Sequence, residues 1–306
     1  MKDIIFIVGV GRSGTTLLQN MLNSHPQVAF IPEINYTRRF LLSRNLEKRY
    51  SKNKEKFINF LKTDKWFKRL DTRIIDRIDF DYIDHSSFNV DFYKKILQIN
   101  CNLHNKKIAG DKDPRSIEYV KEISKLLPNI HWIHIIRDPR DVLLSKRNAD
   151  WSKHRSVLKH IFAGYIQLYL ARKWIKLFPN KFTELYYEDL LHNPELTLKY
   201  LCISIGLNYD SSMMDFKNSA QELIADDELS WKKEVFSSLN KENISKWKNG
   251  LSNRQIAFIE HLVTPAFTNY NYRKSNPKIY LIDKIQIVIL KPIFFIISKV
   301  YIYLLR

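Results

Sequence analysis

Cysteine is scarce in this sequence: only Cys101 and Cys202 occur among 306 residues. Two cysteines provide neither a disulfide framework nor a set of four zinc ligands, which favours a reducing compartment. The apolar stretch at residues 4–8 is too short for the core of a signal peptide, and no small-residue cleavage site follows it. We therefore expect a cytoplasmic protein. No internal repeat or low-complexity linker is visible before residue 275.

Acidic residues are few relative to basic ones: 32 Asp and Glu stand against 50 Lys and Arg, a net charge of +18. This excess favours polyanionic partners, namely nucleic acid, an anionic membrane surface or a multiply charged nucleotide. A nucleic-acid-binding protein would fit the charge and the many aromatic residues. However, no helix-turn-helix, zinc-finger or RNP motif is present, so we expect no nucleic-acid partner. A coding bias toward Lys, Asn and Ile would produce the same charge, so charge alone identifies no partner.

The apolar runs of the first 275 residues are short. Residues 4–8 form a continuous apolar run that ends in glycine, which is typical of a central parallel strand buried on both faces. Residues 130–136 form another, and a loop and a helical pattern follow each run. This repetition predicts an α/β fold of P-loop type, with three α/β/α layers and a central parallel sheet. Further strands are predicted at 28–31 and 183–187, and helices at 15–23, 140–148, 156–177 and 195–205, the last capped by Gly206.

The segment between the first strand and the first helix, residues 9–16, reads GVGRSGTT. Its glycines let successive backbone N–H groups point at an anion, and the helix that follows adds its dipole. The spacing resembles a Walker A loop, but Thr15 occupies the position of the essential lysine and the positive charge lies at Arg12. A kinase or GTPase would lack the lysine that contacts the β- and γ-phosphates. A kinase-like P-loop enzyme and a purely structural glycine turn are the alternatives.

A second candidate anion site follows the strand at 130–136. Arg137 ends that strand, and Ser145 lies about two turns into the next helix. A planar guanidinium suits a phosphate, and the hydroxyl adds a donor. An arginine–aspartate ion pair at a helix start would explain the same residues, so this motif alone is ambiguous.

These two loops, in this order, resemble the sulfotransferases that use 3′-phosphoadenosine-5′-phosphosulfate (PAPS). The first is similar to that family's 5′-phosphosulfate loop and the second to its 3′-phosphate motif. The most similar pattern is that of the tyrosylprotein and glycan sulfotransferases, whose loop also reads Arg-Ser-Gly-Thr-Thr. Further matches span roughly residues 4–260: HP at 25–26, PE at 32–33, DKDP at 111–114, YEDL at 187–190, NP at 193–194, GL at 206–207 and SKW at 245–247. The catalytic histidine and late Arg-Lys-Gly triplet of the cytosolic branch have no counterpart, which disfavours small phenol or steroid acceptors.

The resemblance implies transfer of a sulfuryl group from PAPS to an acceptor hydroxyl on a glycan, a glycolipid or a peptide, with PAP as the other product. It implies that the 5′ side of the nucleotide is held by Arg12, Ser13, Gly14, Thr15 and Thr16, the 3′-phosphate by Arg137 and Ser145, and other parts by Tyr187, Ser245 and Lys246. Residues 38–106 are expected to form helices of a lid or of a wall on the acceptor side.

Three residues form the predicted catalytic set: Glu33, Lys112 and Arg12. Glu33, a carboxylate near a cationic loop, is the predicted general base, and Lys112 is predicted to neutralise the sulfuryl or bridging oxygens. The alternatives are an ion pair of Glu33 with Arg38 or Arg39, and one of Lys112 with a neighbouring aspartate. No His, Asp and Cys cluster has the spacing of metal ligands, so we expect no metal.

The composition changes at residue 279 to Ile, Leu, Phe, Tyr and Val, interrupted by Lys284, Lys291 and Lys299. The longest uncharged run, 292–298, is far shorter than the roughly 18 residues of a membrane span. Basic residues at intervals of seven or eight share one stripe, which predicts an amphipathic helix in an anionic membrane interface. The alternative is a helix packed on the core or on a second subunit. We expect a sulfotransferase domain at 1–275 and a helical tail at 276–306 that holds the protein on the inner face of the membrane.

Overall fold

A computed structural model describes residues 4–42, 53–78, 88–232 and 236–304. Within these residues the centre is a parallel sheet of five strands in the order β2-β3-β1-β4-β5. The strands are β1 (Ile4–Gly9), β2 (Val28–Phe30), β3 (Ile108–Lys112), β4 (Ile130–Ile136) and β5 (Phe182–Tyr186). The predicted parallel sheet is confirmed. Ligands of such sheets bind at the carboxyl ends where the strand order reverses, here around β1.

The side chains of β1 alternate between the two faces of the sheet. Phe6 and Val8 belong to the core on one face, whereas Ile5 and Ile7 belong to the core on the other. All six residues of β1 and all seven of β4 are buried, as expected for strands covered on both sides. Helices therefore form an outer layer on each face, and the predicted three-layer architecture is confirmed.

Helices connect the strands and cover them. In chain order they are α1 (Thr15–Asn23), α2 (Lys54–Thr63), α3 (Thr72–Asp76), α4 (Phe88–Leu103), α5 (Val120–Leu126), α6 (Pro139–Asn148), α7 (Val157–Leu177), α8 (Tyr187–His192), α9 (Pro194–Ile205), α10 (Lys217–Leu223), α11 (Leu229–Lys232), α12 (Trp247–Gly250), α13 (Asn253–Leu262), α14 (Thr264–Asn269) and α15 (Leu281–Leu304). The helices predicted at 15–23, 140–148, 156–177 and 195–205 are α1, α6, α7 and α9. Gly206 caps α9 with a φ of 75°, as predicted.

Strand β3 was not predicted, because Asp111 and Lys112 interrupt the apolar pattern of its five residues. All five are nevertheless buried. Asp111 accepts a hydrogen bond from the hydroxyl of Tyr93 at 2.6 Å, and Lys112 forms an ion pair with Glu33. Buried charged groups with such partners are compatible with a central strand. β3 therefore delivers a lysine to the carboxyl edge of the sheet, beside β1.

The region 38–106 contains helices, as predicted, although residues 43–52 and 79–87 lie outside the described part. Five of its described aromatic residues belong to the buried core beside the sheet: Phe40, Phe57, Phe67, Phe92 and Tyr93. Tyr36 packs on Phe40 with ring centroids 5.2 Å apart, and Phe57 packs on Phe92 at 5.0 Å. These buried aromatic residues thus stabilise the fold, and the role of the region as a lid or acceptor-side wall stays a prediction.

The predicted C-terminal helix is present as α15, with Pro292 inside it. One face packs on the domain: Ile287 and Phe294 are buried, Phe294 lies 5.3 Å from the ring of Phe162 on α7, and Asp283 pairs with Arg254 of α13 at 2.9 Å. By length and composition α15 could cross a membrane, although its longest uncharged run is short. The domain boundary at residue 275 stays a prediction.

Candidate active site

The phosphate loop joins β1 to α1 and contains two residues in the left-handed region. The φ angle is 79° at Arg12 and 91° at Gly14. Glycine adopts this conformation readily, whereas for arginine it is a costly one that tends to occur at functional sites. At Gly14 an added Cβ would lie 2.3 Å from Cδ2 of Tyr187. Because α1 begins directly afterwards at Thr15, its free N–H groups face the loop, which thus has the geometry of an anion cradle.

The two sequence-predicted anion motifs contact one another. Arg12 donates from Nε to Ser145 Oγ at 3.0 Å. Arg137 donates to the carbonyl oxygen of Arg12 at 3.0 Å and to that of Asn243 at 2.8 Å. The guanidinium carbon of Arg137 also lies 4.3 Å from the ring centroid of Tyr187, a cation–π distance. Predicted residues from three separate segments therefore form one continuous group, to which Asn243 adds a fourth.

Two buried polar atoms in this group have no hydrogen-bond partner among the described residues. They are the hydroxyl of Ser13 and Nε of Arg137, on residues that are 1% and 9% exposed. Buried donors are rarely left unsatisfied in folded proteins. A phosphate or sulfate group, which is rich in acceptor oxygens, would satisfy both donors. The chain thus fits an anionic ligand at this place.

Two adjoining cavities open onto the loop. The first is lined by Gly14, Thr15, Thr16, Tyr187 and Lys232, the second by Asp141, Ser145 and Lys246, and both by Arg12, Arg137 and Asn243. The shared residues separate two spaces that a ligand with two anionic groups could occupy together.

Asp141 of α6 holds the loop that carries Ser245 and Lys246. Its carboxylate accepts the backbone N–H of Ser245 at 2.8 Å and that of Trp247 at 2.9 Å. Ser245 itself has a φ of 62°, and its side chain lines neither of the two cavities. Lys246 lines the second cavity. Asp141 and Asn243 were not predicted to belong to the site. Asp141 is 104 residues from its partner Ser245, and Asn243 is 106 residues from its partner Arg137, so no local sequence pattern indicates these contacts.

Glu33 lies in a cluster of buried charges beside the carboxyl end of β3. Its carboxylate pairs with the ammonium group of Lys112 and lies 3.5 Å from that of Lys232, while its backbone carbonyl accepts from Arg69 at 3.0 Å. Burial by itself raises the pKa of Glu33, but the charges of Lys112, Lys232 and Arg69 outweigh it and lower this pKa to about 2. Glu33 is therefore ionised at neutral pH. Because Lys232 lines the first cavity, the cluster borders that cavity.

The alternative ion pairs considered for Glu33 and Lys112 do not form among the described residues. Arg38 and Arg39 pair instead with two aspartates from other segments. Asp111 accepts the backbone N–H of Lys112 at 2.7 Å, while the ammonium group of that lysine contacts Glu33. The predicted base and the predicted cation are thus each other's partners.

Two further charges of this cluster, Lys232 and Arg69, were not predicted from the sequence. Glu228 links them, at 2.7 Å from Lys232 and 3.2 Å from Arg69. They come from α11 and from the turn Phe67–Arg69, whose sequences contain no recognisable motif. Within the described ranges, no group of three His, Cys, Asp or Glu side chains is placed to hold a metal ion. A metal-free reaction stays a prediction.

Comparisons with curated proteins place the chain among sulfotransferases. Residues 3–211 match the model of the "Sulfotransferase family". The chain is 22% identical over 259 residues to a protein of Aquifex aeolicus (strain VF5), in an alignment that covers 81% of this chain and 30% of that protein. It is 22% identical over 302 residues to protein-tyrosine sulfotransferase 2 of Gallus gallus, which covers 90% of this chain and 71% of the relative. The chain thus spans less than a third of the Aquifex protein and most of the Gallus one.

A solved structure shares the fold. The sulfotransferase domain of the olefin synthase from Synechococcus PCC 7002 superposes with a TM-score of 0.55 at 18% identity, over 93% of this chain and 92% of that domain. Both anion motifs and all five strands lie inside the segment that the family model matches. Since that segment is more than half of the chain, this protein belongs to the sulfotransferase family.

Proposed function

We propose that this protein transfers a sulfuryl group from PAPS to an acceptor hydroxyl on a glycan or glycolipid. The proposal depends above all on the direct contact between the two arginine motifs, in which Arg12 donates to Ser145 and Arg137 donates to the carbonyl of Arg12, each at 3.0 Å. PAPS carries a phosphosulfate and a 3′-phosphate on one nucleoside. Two cavities that share these arginines suit the two anionic groups of one such molecule.

The residues of the phosphate loop would hold the 5′-phosphosulfate. These are Arg12, Ser13, Gly14, Thr15 and Thr16. Backbone N–H groups at the start of α1 supply donors, and the charge of Arg12 would stabilise negative charge that develops on the transferred group. The catalytic contribution of this part is therefore positioning and electrostatic stabilisation, which is what in-line group transfer requires.

Arg137 and Ser145 would hold the 3′-phosphate and distinguish PAPS from ATP, which lacks it. The unsatisfied Nε of Arg137 supports this role. Tyr187, whose ring contacts Arg137, would line the nucleotide site. Ser245 and Lys246 lie on the loop that Asp141 anchors, and they would close over the nucleotide from that side.

Glu33 is the proposed base for the acceptor hydroxyl, and Lys112 the proposed cation for the leaving oxygen. Because the two are paired, Glu33 is a weak base, with a pKa of about 2. A sulfuryl group beside Lys112 would compete for its ammonium group and thereby raise the proton affinity of Glu33. Glu33 would thus become an effective base only while PAPS is bound. The enzyme would then remove the acceptor proton only when the sulfuryl donor is in place.

Calorimetry with PAP and AMP tests whether the protein has one site for the 5′ end of the nucleotide and another for its 3′-phosphate. PAP should bind more tightly than AMP, and Arg137→Ala should weaken PAP binding by about tenfold or more, because a charged hydrogen bond contributes about 1.5–3 kcal/mol. AMP, which has no 3′-phosphate, should lose much less affinity, since only the contacts of Arg137 with the phosphate loop and Tyr187 then matter. Arg147→Ala changes an exposed arginine of α6, the helix that follows Arg137; it is the matched control and should change neither. Equal affinities of the native protein for PAP and AMP would refute the 3′-phosphate site.

A glycan or glycolipid is proposed as acceptor because of the loop's resemblance to the tyrosylprotein and glycan branch and because of the exposed apolar helix α15. A peptide hydroxyl is the second candidate, favoured by the likeness to protein-tyrosine sulfotransferase 2 of Gallus gallus. Transfer of ³⁵S from labelled PAPS into a lysate, separated into lipid, polysaccharide and protein fractions, distinguishes the two by the fraction that carries the label.

A peripheral position on an anionic membrane, on its cytoplasmic face, is proposed for residues 279–306. Many large apolar side chains of α15 are exposed, among them Ile285, Ile289 and Ile296 at 46%, 54% and 61%. At about 100° per residue, Lys284, Lys291 and Lys299 lie within about 80° of one another on one flank of this apolar face. An exposed apolar face beside a basic stripe suits an interface between anionic headgroups and lipid tails.

A further inference from the structure

A cavity distinct from the two described above reaches the phosphate loop at Gly11. Its other walls come from the turn Pro114–Tyr119, from α6, α7 and the turn between them, and from the last turn of α15. The residues that line both cavities of the predicted nucleotide site, Arg12, Arg137 and Asn243, do not line this one. It therefore adjoins the proposed donor site without sharing its side chains.

Positive charge dominates the walls of this cavity. Arg115, Lys146, Arg155 and Lys159 line it, and Glu118 is the one carboxylate among the lining residues that the structure describes. Glu118 already accepts hydrogen bonds from Arg115 at 3.1 Å, from Gln167 at 2.7 Å and from Tyr301 at 2.6 Å. The other three cations have no carboxylate partner in the described part of the chain. The cavity is therefore suited to an anion.

Lys146 is the most informative of these cations. It is 5% exposed and lines the cavity, yet its ammonium group makes no hydrogen bond or ion pair with a described residue. Burial, together with the nearby charges of Arg155 and Arg115, lowers the pKa of Lys146 to about 8. The residue is buried, but its ammonium nitrogen is not among the buried atoms without a partner, so this nitrogen is accessible from the cavity. An anion in the cavity would supply acceptors for its three donors.

The last turn of α15 connects this cavity to the exposed apolar surface. Tyr301 lines the cavity, while Ile296 and Val300 on the same helix are 61% and 53% exposed. Trp151, which also lines the cavity, is 44% exposed, and aromatic rings of this kind favour the headgroup level of a membrane. A membrane that received α15 would therefore present its headgroups to this cavity.

We propose that this cavity is the acceptor subsite, and that it takes the phosphate-bearing headgroup of an anionic lipid with free hydroxyl groups. The inference rests on the sulfuryl transfer proposed above. A headgroup hydroxyl oxygen forms a bond to sulfur while the bond from sulfur to the bridging oxygen of PAPS breaks. The headgroup phosphate stays in this cavity while its hydroxyl group reaches past Gly11 to the first cavity, which the Glu33 cluster borders. There the hydroxyl proton passes to Glu33, and PAP leaves with the electron pair. Lys146, Arg155 and Lys159 act as positioning residues that hold the headgroup phosphate.

The test uses ³⁵S-labelled PAPS and the full chain, with vesicles of phosphatidylcholine that contain phosphatidylinositol and with vesicles of phosphatidylcholine alone. Label is expected in extracted lipid only with phosphatidylinositol. Arg155→Gln/Lys159→Gln should lower kcat/KM for this lipid by about tenfold or more, since each lost contact to a charged group contributes measurably, while the Kd for PAP stays within about twofold. The control Lys121→Gln/Lys125→Gln removes the same charge from α5, outside the cavity lining, and should keep native kcat/KM.

The outcomes separate this inference from the proposed function. PAP that binds more tightly than AMP, together with unlabelled phosphatidylinositol, would overturn the lipid subsite and leave the sulfotransferase proposal intact. Absent PAP binding would defeat both. Equal transfer to soluble glycerophosphoinositol would overturn the membrane lipid as the source of the headgroup. Equal losses in the two double variants would assign the effect to net charge and likewise overturn the subsite.

Discussion

Gly14 is the position at which the phosphate loop tolerates least change. Its φ of 91° disfavours any side chain, and an added Cβ would lie 2.3 Å from the ring of Tyr187. Gly14→Ala should therefore cost about 1–2 kcal/mol for the left-handed backbone and about 1–3 kcal/mol for the overpacking. Urea unfolding measures this loss, and calorimetry should show weaker PAP binding as Tyr187 is displaced from Arg137.

Gly11 offers a control for that substitution within the same loop. An added Cβ there meets no atom within 4 Å, and its φ is not positive. Gly11→Ala should therefore leave both unfolding and PAP binding near native. If the two variants lose stability equally, the special geometry assigned to Gly14 is wrong.

Glu33 offers a prediction that joins catalysis to stability. Its pKa in the folded protein, about 2, lies below the ordinary value of about 4.3. The ionised group therefore stabilises the fold above pH of about 4.3, and this contribution is lost as the pH falls toward 2. Glu33→Gln also leaves Lys112 buried without its partner, so we expect about 3 kcal/mol less stability at pH 7, a smaller deficit at acidic pH, and loss of turnover with PAP binding retained.

Urea unfolding of both proteins at pH 7 and near pH 3.5 measures the deficit, and ³⁵S transfer measures turnover. Glu195→Gln removes an exposed carboxylate that pairs with Lys199, and it should change neither quantity. A deficit that is independent of pH would show that the ionised carboxylate is not what stabilises this cluster. Near-native turnover would remove Glu33 from the chemistry.

At the scale of the element, the sequence predicted those strands and helices whose pattern is local. β1 and β4 are unbroken apolar runs, and the glycine loop and Arg137 follow them directly. β3 breaks this rule, since it carries Asp111 and Lys112 inside the sheet, where partners from distant segments satisfy them. A pattern of apolar residues cannot reveal a charge that only the tertiary fold neutralises.

The residues of the candidate site likewise fall into two groups: those that a local sequence motif predicts and those whose role depends on tertiary contacts. Arg12, Arg137 and Ser145 were predictable because each follows a strand in a motif, and the sheet brings carboxyl ends together. Lys232 and Asp141 were not, because their roles depend on contacts with Glu33 and with the backbone of Ser245 across long stretches of chain. The order of motifs thus located the cradles, while the groups that set their electrostatics and hold their loops required the structure.

At the scale of the whole molecule, the net charge of +18 and the exposed apolar face of α15 would both favour the anionic membrane that we propose as partner. Three exposed lysines near an anionic surface contribute about 1 kcal/mol each at moderate salt. Their contribution is screened as the Debye length falls from about 10 Å at 0.1 M salt to about 3 Å at 1 M. Burial of apolar side chains is not screened in this way. Vesicle flotation at two salt concentrations therefore separates the two contributions.

Two triple variants of α15 complete this prediction. Ile285→Gln/Ile289→Gln/Ile296→Gln should abolish flotation at both salt concentrations, because it removes the apolar face but leaves the packed residues Ile287 and Phe294 intact. Lys284→Gln/Lys291→Gln/Lys299→Gln should weaken binding to anionic vesicles by about 100-fold at 0.1 M salt and much less at 1 M.

The matched control lies on α9, where three exposed apolar residues form a similar strip. Leu196→Gln/Tyr200→Gln/Ile203→Gln should float like the native protein. If it loses flotation as fully as the apolar variant of α15, general surface hydrophobicity explains the binding. If the native chain stays in solution at twice its monomer mass, a second subunit covers α15, and the face that we assign to the membrane is an interface between copies of this chain.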